Sequence, residues 1–204
     1  SGAAVGTFLG TAIWAFAGAQ AFALLFAFFV LGTAATKLGY ARKAAAGIAQ
    51  EKGGRRGPGN ALSKTSIPAL AAVFAATTGY PELFALALAG AFATAAFDTV
   101  SSEVGKAYGR RTYLITTLRS VPRGTDGAVS LEGTVSGMAA ALLLAGLGAA
   151  LDLYPAAGIG AVAVAAFLAT TLESVVGATL EKRGLLDNEA VNFLDVIPFR
   201  KEIT

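Results

Sequence analysis

The sequence predicts an all-α membrane protein: a single integral-membrane domain over residues 1–204 with about six transmembrane helices. Of its 204 residues, 55% are hydrophobic and only 14% are charged, and the mean hydropathy is +0.63. Soluble domains carry about 25% charged residues, so the charge content excludes an ordinary soluble fold. The charged residues gather mainly in three blocks, which is typical of apolar spans separated by polar loops.

The first apolar stretch is long enough for two spans. Residues 2–36 contain no charged residue, and as one straight helix they would be about 50 Å long. A bilayer core is about 30 Å thick, so we expect two shorter spans, over residues 2–14 and 16–36, with a turn at residues 17–20. We expect no signal peptide here, because no basic segment precedes the stretch and the apolar run is too long.

Four further apolar runs supply the remaining spans. They cover residues 66–78, 83–97, 128–151 and 156–180. Several are short for a span, so flanking residues or local thinning of the bilayer would complete them. Gly and Ala are frequent in all of them, and small residues let membrane helices pack closely where lipid gives no hydrophobic drive for association. We therefore expect Gly/Ala-rich helix packing. A second copy of the chain, in a homo-oligomer, is a candidate partner.

A six-span arrangement places all three charged blocks on one side of the membrane. These blocks are the loops at about 37–65 and 98–127 and the tail at about 181–204. The first holds seven basic residues and a single acidic one. The positive-inside rule makes this side cytoplasmic, in the plasma membrane of a prokaryote or in an organelle membrane. Any active site is expected on this cytoplasmic side.

The chain contains no Cys and no His. Their absence excludes thiolate nucleophiles, Cys/His zinc sites, Ser-His-Asp triads and imidazole bases. Carboxylates, Lys and Arg, hydroxyls, backbone amides and a metal held by oxygen ligands remain, and these are the groups that handle phosphates. The first basic block contains a single aromatic residue, Tyr40, and shows no interleaving of basic and aromatic residues, so no nucleic acid is expected as a partner.

Two carboxylates stand where an apolar run meets the second charged block. Asp98 ends the run at 83–97, and Ser102 and Glu103 follow about one turn later, close to the same helix face. Mg²⁺ is bound by one or two carboxylates together with waters and substrate phosphates. We therefore predict a catalytic Mg²⁺ site at Asp98 and Glu103, with a solvated helix end as the alternative.

Two other carboxylates lie inside apolar runs. Glu173 is in the last run and Glu132 is about one turn into its run. A carboxylate at mid-span costs roughly 2.5–3.5 kcal/mol on insertion scales, so such a residue is expected to face a polar cavity or a partner. We predict a catalytic role for Glu173, and we weigh a site and a structural salt bridge equally for Glu132.

A glycine-rich loop precedes the run at 128–151. Residues 123–127 read R-G-T-D-G, and the two glycines can expose backbone amides beside a helix N-terminus, where the helix dipole favours anions. No Walker sequence occurs, and an ordinary capped turn is the alternative. The predicted nucleotide- or phosphate-binding residues here are Arg119, Arg123, Gly124, Thr125, Gly127 and Ser130.

Asn188 and Asn192 in the tail are four residues apart. They would share one face of a helix and are further candidates for contacts with a nucleotide or a phosphate. A capped amphipathic helix is the alternative.

Several of these segments resemble the signature blocks of one family. They read T-K-L-G-Y at 36–40, E-K-G-G-R-R at 51–56, D-T-x-x-S-E-x-G at 98–105, I-T-T at 115–117, V-P-x-G-T-x-G-x-V-S at 121–130 and L-D-N-E-x-x-N-F at 186–193. The chain resembles, over nearly its whole length, the integral-membrane family of the chloroplast phytyl-phosphate kinase, which has bacterial, archaeal and animal relatives.

A more distant similarity connects the chain with dolichol and phytol kinases. Their pattern D-x-x-A-x-x-x-G, followed by K-K-[S/T]-x-E-G-[S/T], is linked to the use of CTP. Residues 98–105 fit the first part with Ser101 in place of Ala, and residues 130–134 fit the end of the second. Ala128-Val129 replaces the Lys pair, so Arg123 or Arg110-Arg111 would have to supply the charge.

The resemblance implies an isoprenoid-phosphate kinase. Such an enzyme transfers a phosphoryl group from a nucleoside triphosphate, with CTP favoured, to a prenyl or phytyl monophosphate bound from the membrane lipid. Asp98 and Glu103 would bind Mg²⁺ with help from Glu173, the glycine-rich loop would hold the triphosphate, and Lys37 and Lys43 would hold the lipid phosphate. The alternative is a membrane transporter or lipid-binding protein with a polar cytoplasmic cavity, and a structural scaffold ranks third.

Overall fold

The computed structural model describes residues 2–50, 53 and 57–181. In this part of the chain the helices are α1 (Gly2–Lys37), α2 (Tyr40–Ala45), α3 (Pro58–Thr77), α4 (Pro81–Tyr108), α5 (Leu131–Ala150) and α6 (Gly158–Val176). The strands β1 (Thr112–Leu114) and β2 (Ala128–Ser130) lie between α4 and α5, and a π-helical turn (Gly177–Glu181) follows α6. The all-α membrane fold predicted from the composition is confirmed.

Among the described residues, four helices are long and apolar enough to cross a membrane: α1, α4, α5 and the span Gly158–Thr179, which includes α6. The predicted span at 66–78 lies in α3, which is not among these four. Its first half carries Asn60, Ser63, Lys64 and Thr65, and these polar residues lower the hydropathy of the helix as a whole.

Helix α1 is broken at Gly18, where the backbone has φ 78° and ψ −175°. The two arms fold against each other: the rings of Trp14 and Phe22 meet edge to face with centroids 5.2 Å apart. A Cβ built on Gly10 would lie 3.4 Å from the side chains of Phe22 and Leu25. The predicted turn at 17–20 is therefore confirmed, and Gly at its centre supplies the positive φ that other residues rarely adopt.

Helix α4 is the centre of the bundle. It contacts α1, α3, α5 and α6, and its residues 91–97 are all buried. Helix α5 approaches it through two glycines four residues apart. A Cβ built on Gly133 would lie 2.5 Å from the carbonyl oxygen of Ser101, and a Cβ built on Gly137 would lie 2.8 Å from the carbonyl oxygen of Phe97. The backbones of the two helices thus meet directly, as expected for small-residue packing in a membrane.

Replacing Gly137 by Val is expected to destabilise the bundle, because the added carbons would collide with the α4 backbone. Overpacking of this kind costs typically 1–3 kcal/mol. The matched control is Gly146→Val in the same helix, where a Cβ would meet nothing within 4 Å. Thermal unfolding of the two purified variants should differ by several degrees, and equal midpoints would contradict direct backbone contact at Gly137.

The segment between α4 and α5 is a small antiparallel hairpin. Strand β1 pairs with β2 in the register Thr112 with Ser130 and Leu114 with Ala128. The apolar run predicted to begin at residue 128 therefore starts as a strand, and the helix begins only at Leu131. Ser130 caps this helix: its Oγ accepts a hydrogen bond of 3.1 Å from the Gly133 N–H, which satisfies one of the free amides of the first turn.

The end of the bundle opposite the hairpin is closed around Tyr154, which lies between α5 and α6. Its hydroxyl donates a 2.7 Å hydrogen bond to the Ala145 carbonyl oxygen, and its ring packs against Gly148 and Gly158. Burial raises the pKa of Tyr154 to about 12.

Candidate functional site

A cavity of about 410 Å³ lies where α4, α6 and the hairpin loop meet. Ten of its lining residues carry hydroxyl groups. They belong to Thr99, Ser101, Ser102, Thr112, Thr125, Ser130, Thr134, Thr170, Thr171 and Ser174. Phe97 and Phe167, with ring centroids 6.1 Å apart, also line it, and Phe167 is exposed on the bundle surface. The cavity thus combines a hydroxyl-rich wall with an aromatic side next to the lipid-facing surface.

Three ionised side chains from three helices meet beside this cavity. Lys64 of α3 places its Nζ 2.6 Å from Oδ2 of Asp98 on α4 and 4.0 Å from Oε1 of Glu173 on α6. Lys64 is only 2% exposed, while both carboxylates line the cavity. Charges buried this deeply persist only when they are paired. The ammonium therefore holds two of the three predicted catalytic carboxylates, Asp98 and Glu173, in one place.

A second ion pair lies deeper, between Lys43 of α2 and Glu103 of α4. Lys43 also donates hydrogen bonds to the carbonyl oxygens of Thr36 (2.9 Å) and Ala35 (3.3 Å) near the end of α1. The side chains are 0% and 3% exposed. This pair ties α1, α2 and α4 together at the end of the bundle that carries the cavity.

The contacts of Lys43 bear on the role expected for this lysine. Lys43 is buried and engaged with protein groups, so it is not presented to a lipid phosphate. Asp98 and Glu103 both line the cavity, but a separation of five residues rotates a side chain by about 140° around a helix, and the two carboxylates pair with different lysines. Asp98 faces Lys64 and Glu103 faces Lys43. Glu173 is the carboxylate brought close to Asp98, because both contact Lys64.

The glycine-rich loop forms the wall opposite these carboxylates. Gly124, Thr125, Gly127 and Ser130 all line the cavity. Gly127 has φ 70°, and a Cβ there would lie 2.6 Å from the Ser174 carbonyl oxygen of α6, so the loop is seated directly on α6. The structure thus brings Asp98, Glu103, Glu173 and the loop to one cavity. Because Ser130 ends a strand, the loop does not lead straight into the helix.

Other predicted residues lie elsewhere. Lys37 and Arg119 are exposed and line neither cavity, and the same holds for Arg110 and Arg111. Arg123 lines a second cavity instead of this one. Asn188 and Asn192 lie outside the described residues, so their role stays a prediction.

Glu132, for which the sequence favours a site and a structural salt bridge equally, makes a structural contact. Its Oε1 accepts a 3.3 Å hydrogen bond from the backbone N–H of Arg110, and it does not line the cavity. This carboxylate therefore connects the start of α5 to the segment that follows α4.

Two residues that sequence reasoning did not assign belong to the site. Lys64 is the cation between the carboxylates, and Lys106 lines both cavities. Lys64 lies 34 residues before its partner Asp98, so no local spacing reveals the pair. Lys106 lies one turn after Ser102 on α4, and this helical spacing was the available signal.

One buried hydroxyl in the cavity wall lacks a protein partner. Thr170 of α6 is 5% exposed, and its Oγ1 has no hydrogen bond among the described residues. Buried polar groups are nearly always hydrogen-bonded. An unsatisfied hydroxyl in the wall of a polar cavity is therefore suited to bind a ligand oxygen.

The donor set fits a cation that takes much of its coordination from a substrate. Within residues 2–50, 53 and 57–181 no group of three or more acidic residues is arranged to hold a metal. Asp98 and Glu173 supply two carboxylates beside many hydroxyls. Mg²⁺ commonly uses one or two carboxylates together with waters and phosphate oxygens, so these residues fit it.

The fold and the cavity define a polytopic helical membrane protein with a polar site at one end of its bundle. The chain belongs to the integral membrane protein family DUF92, whose model matches residues 1–198. The family resemblance drawn from the sequence blocks is confirmed. No solved structure matches the chain.

Relatives come from three distant groups of organisms. An uncharacterized membrane protein of Synechocystis is 48% identical over 187 residues, which cover 90% of this chain and 72% of that protein. The chloroplastic protein VTE6 of Arabidopsis thaliana is 39% identical over 203 residues, covering 96% of this chain and 61% of VTE6. An uncharacterized membrane protein of Methanocaldococcus jannaschii is 34% identical over 190 residues, covering 89% and 74%.

Proposed function

We propose that this protein is an isoprenoid-phosphate kinase. It would transfer the terminal phosphoryl group of a nucleoside triphosphate, with CTP favoured, to a prenyl or phytyl monophosphate. The observation that carries the proposal is the cavity in which Asp98, Glu173, a glycine-rich loop and many hydroxyls converge at one end of a membrane bundle. By the positive-inside rule this end faces the cytoplasm.

The reaction suits these residues because it needs no strong base. A phosphate oxygen of the acceptor attacks the terminal phosphorus, the bond to the bridging oxygen breaks, and the nucleoside diphosphate leaves with that oxygen. Enzymes accelerate such transfers mainly by positioning the substrates and neutralising their charge. An acceptor that is already an ionised phosphate has no hydroxyl proton to remove, which agrees with the absence of His from the chain.

The charge of the wall supports a cation requirement. Four acidic residues line the cavity, and Lys106 is the basic residue among its described lining. The acidic residues are Asp98, Glu103, Asp126 and Glu173. The ion pairs with Lys43 and Lys64 offset part of this negative charge, and a bare triphosphate would still meet more acidic than basic groups where water is partly excluded. Bound Mg²⁺ would neutralise the triphosphate, and Asp98 and Glu173 are the residues suited to hold it.

The other polar groups would orient the substrates. Backbone amides of Gly124 and Gly127 and the hydroxyls of Ser130 and Thr170 can donate hydrogen bonds to phosphate oxygens. The lipid tail of the acceptor would leave past Phe167, which lines the cavity and is exposed on the bundle surface.

A transporter is the second candidate, and the far end of the bundle argues against it. A transporter needs a polar path from one face of the membrane to the other. Tyr154 closes the opposite end over Gly148 and Gly158, and the central residues 91–97 are buried and mostly apolar. A cavity confined to one end favours chemistry at that surface.

Incubation of the purified full chain with labelled CTP, ATP, GTP or UTP, Mg²⁺ and an isoprenyl monophosphate tests the proposal. We expect an isoprenyl diphosphate as product, and excess chelator should abolish its formation because the acidic wall requires a divalent cation. The control omits the acceptor. Folded protein that yields no diphosphate with any donor would refute the kinase function.

A further inference from the structure

A second cavity, of about 430 Å³, opens beside the first and has the opposite charge. Three of its lining residues are basic: Arg42, Lys106 and Arg123. Ala46, Ile48 and Pro122 complete the lining, and none of these six residues is acidic. A concave surface with three positive charges and apolar side chains around them is suited to a ligand that combines an anionic group with an apolar part.

Two of the basic groups contact the same backbone carbonyl oxygen. Nη1 of Arg42 lies 3.3 Å and Nη1 of Arg123 lies 3.5 Å from the carbonyl oxygen of Ala107. The Arg42 guanidinium also lies over the Tyr108 ring, 5.2 Å from its centroid. The carbonyls at a helix end carry only a fraction of a negative charge. Two guanidinium groups there leave a net positive charge, which an anion would neutralise.

The two cavities are neighbours through two contacts. Lys106 lines both of them. Ile48 lines the basic cavity, and a Cβ built on Gly124 of the first cavity would lie 2.8 Å from Ile48 Cγ2. An anion bound by Arg42 and Arg123 would therefore lie next to the glycine-rich loop, with Lys106 between the two sites.

We propose that Arg42, Lys106 and Arg123 form a subsite for a phosphate group. On the proposed function, on which this part rests, the bound group is the phosphate of the acceptor, placed here for transfer from a triphosphate in the first cavity. Arg42 then takes the part predicted for Lys43, which is buried against Glu103. Guanidinium groups suit this role, because their paired N–H donors match phosphate oxygens.

The test measures binding to the purified full chain in phosphatidylcholine nanodiscs. The probes are farnesyl monophosphate, farnesol, inorganic phosphate and CTP. The variant Arg42→Gln/Arg123→Gln removes both guanidinium groups. The matched control is Arg111→Gln, an exposed arginine outside both cavities. Thermal unfolding confirms that each variant is folded, and if the double variant is not, Lys106→Met is measured in the same way.

The double variant should bind farnesyl monophosphate about tenfold or more weakly, as loss of charged hydrogen bonds implies, while farnesol binding and the control stay unchanged. If the wild-type chain binds inorganic phosphate as tightly as farnesyl monophosphate and the double variant loses affinity for both equally, the result supports a subsite for free phosphate. A loss of affinity confined to farnesyl monophosphate supports a subsite for a phosphate carried by a lipid. Unchanged affinity for both in folded variants overturns the subsite and leaves the arginines as caps of α4. Because binding needs no turnover, absence of kinase activity refutes the proposed function separately.

Discussion

Asp98→Asn is expected to reduce phosphoryl transfer by about 10²–10³-fold or more, the range seen when one electrostatic contact to a transition state is lost. The substitution keeps the shape of the side chain and removes the charge that faces both Lys64 and the cavity. The loss should appear in the turnover number, with a higher Mg²⁺ concentration needed for half-maximal rate.

The measurement is product formation over a series of Mg²⁺ concentrations, with unfolding followed in the same preparation. Glu82→Gln is the matched control, because Glu82 is an exposed carboxylate in the first turn of α4, at the other end of this helix. If Asp98→Asn retained full turnover at every Mg²⁺ concentration, Asp98 would have no part in catalysis.

Lys64→Met is expected to cost the largest amount of stability, about 3–5 kcal/mol, the range for removing one partner of a buried ion pair. Without this ammonium, Asp98 and Glu173 would lose the positive charge that both of them contact. The double variant Lys64→Met/Asp98→Asn should recover part of the loss, because it also removes the carboxylate charge that Lys64 contacts most closely.

A double-mutant cycle of thermal or denaturant unfolding measures this coupling. Lys37→Met is the matched control, since Lys37 is exposed at the end of α1, and it should change stability little. Strictly additive losses for Lys64→Met and Asp98→Asn would mean that the pair contributes nothing as a pair.

The fold was largely predictable because hydropathy and small residues dictate it. The long uncharged stretch required a reversal, and glycine at position 18 supplies it. The strand at Ala128–Ser130 was missed because its residues continue an apolar run. What separates strand from helix there is the Ser130 cap on Gly133, a detail of a few atoms that hydropathy does not register.

Site residues that are chemically unusual by themselves could be predicted from the sequence. Residues whose role depends on a partner distant in the sequence could not. A carboxylate inside an apolar run, such as Glu173, is costly and therefore conspicuous. The basic cluster around Lys43 has the pattern of an ordinary juxtamembrane segment. Only the return of α2 beneath the end of α1 makes Lys43 a buried partner of Glu103. Lys64 and Asp98 likewise belong to different helices, and helix packing alone brings them together.

The ion pair between α3 and α4 also bears on how the chain enters the membrane. A lone charge moving into a bilayer carries a penalty of several kcal/mol, and Lys64 and Asp98 would each carry it if their helices entered one at a time. These helices are consecutive and joined by only three residues, Thr78 to Tyr80. They are thus expected to enter as a prepaired hairpin that is nearly neutral at this point, with Glu173 joining once the last helix arrives.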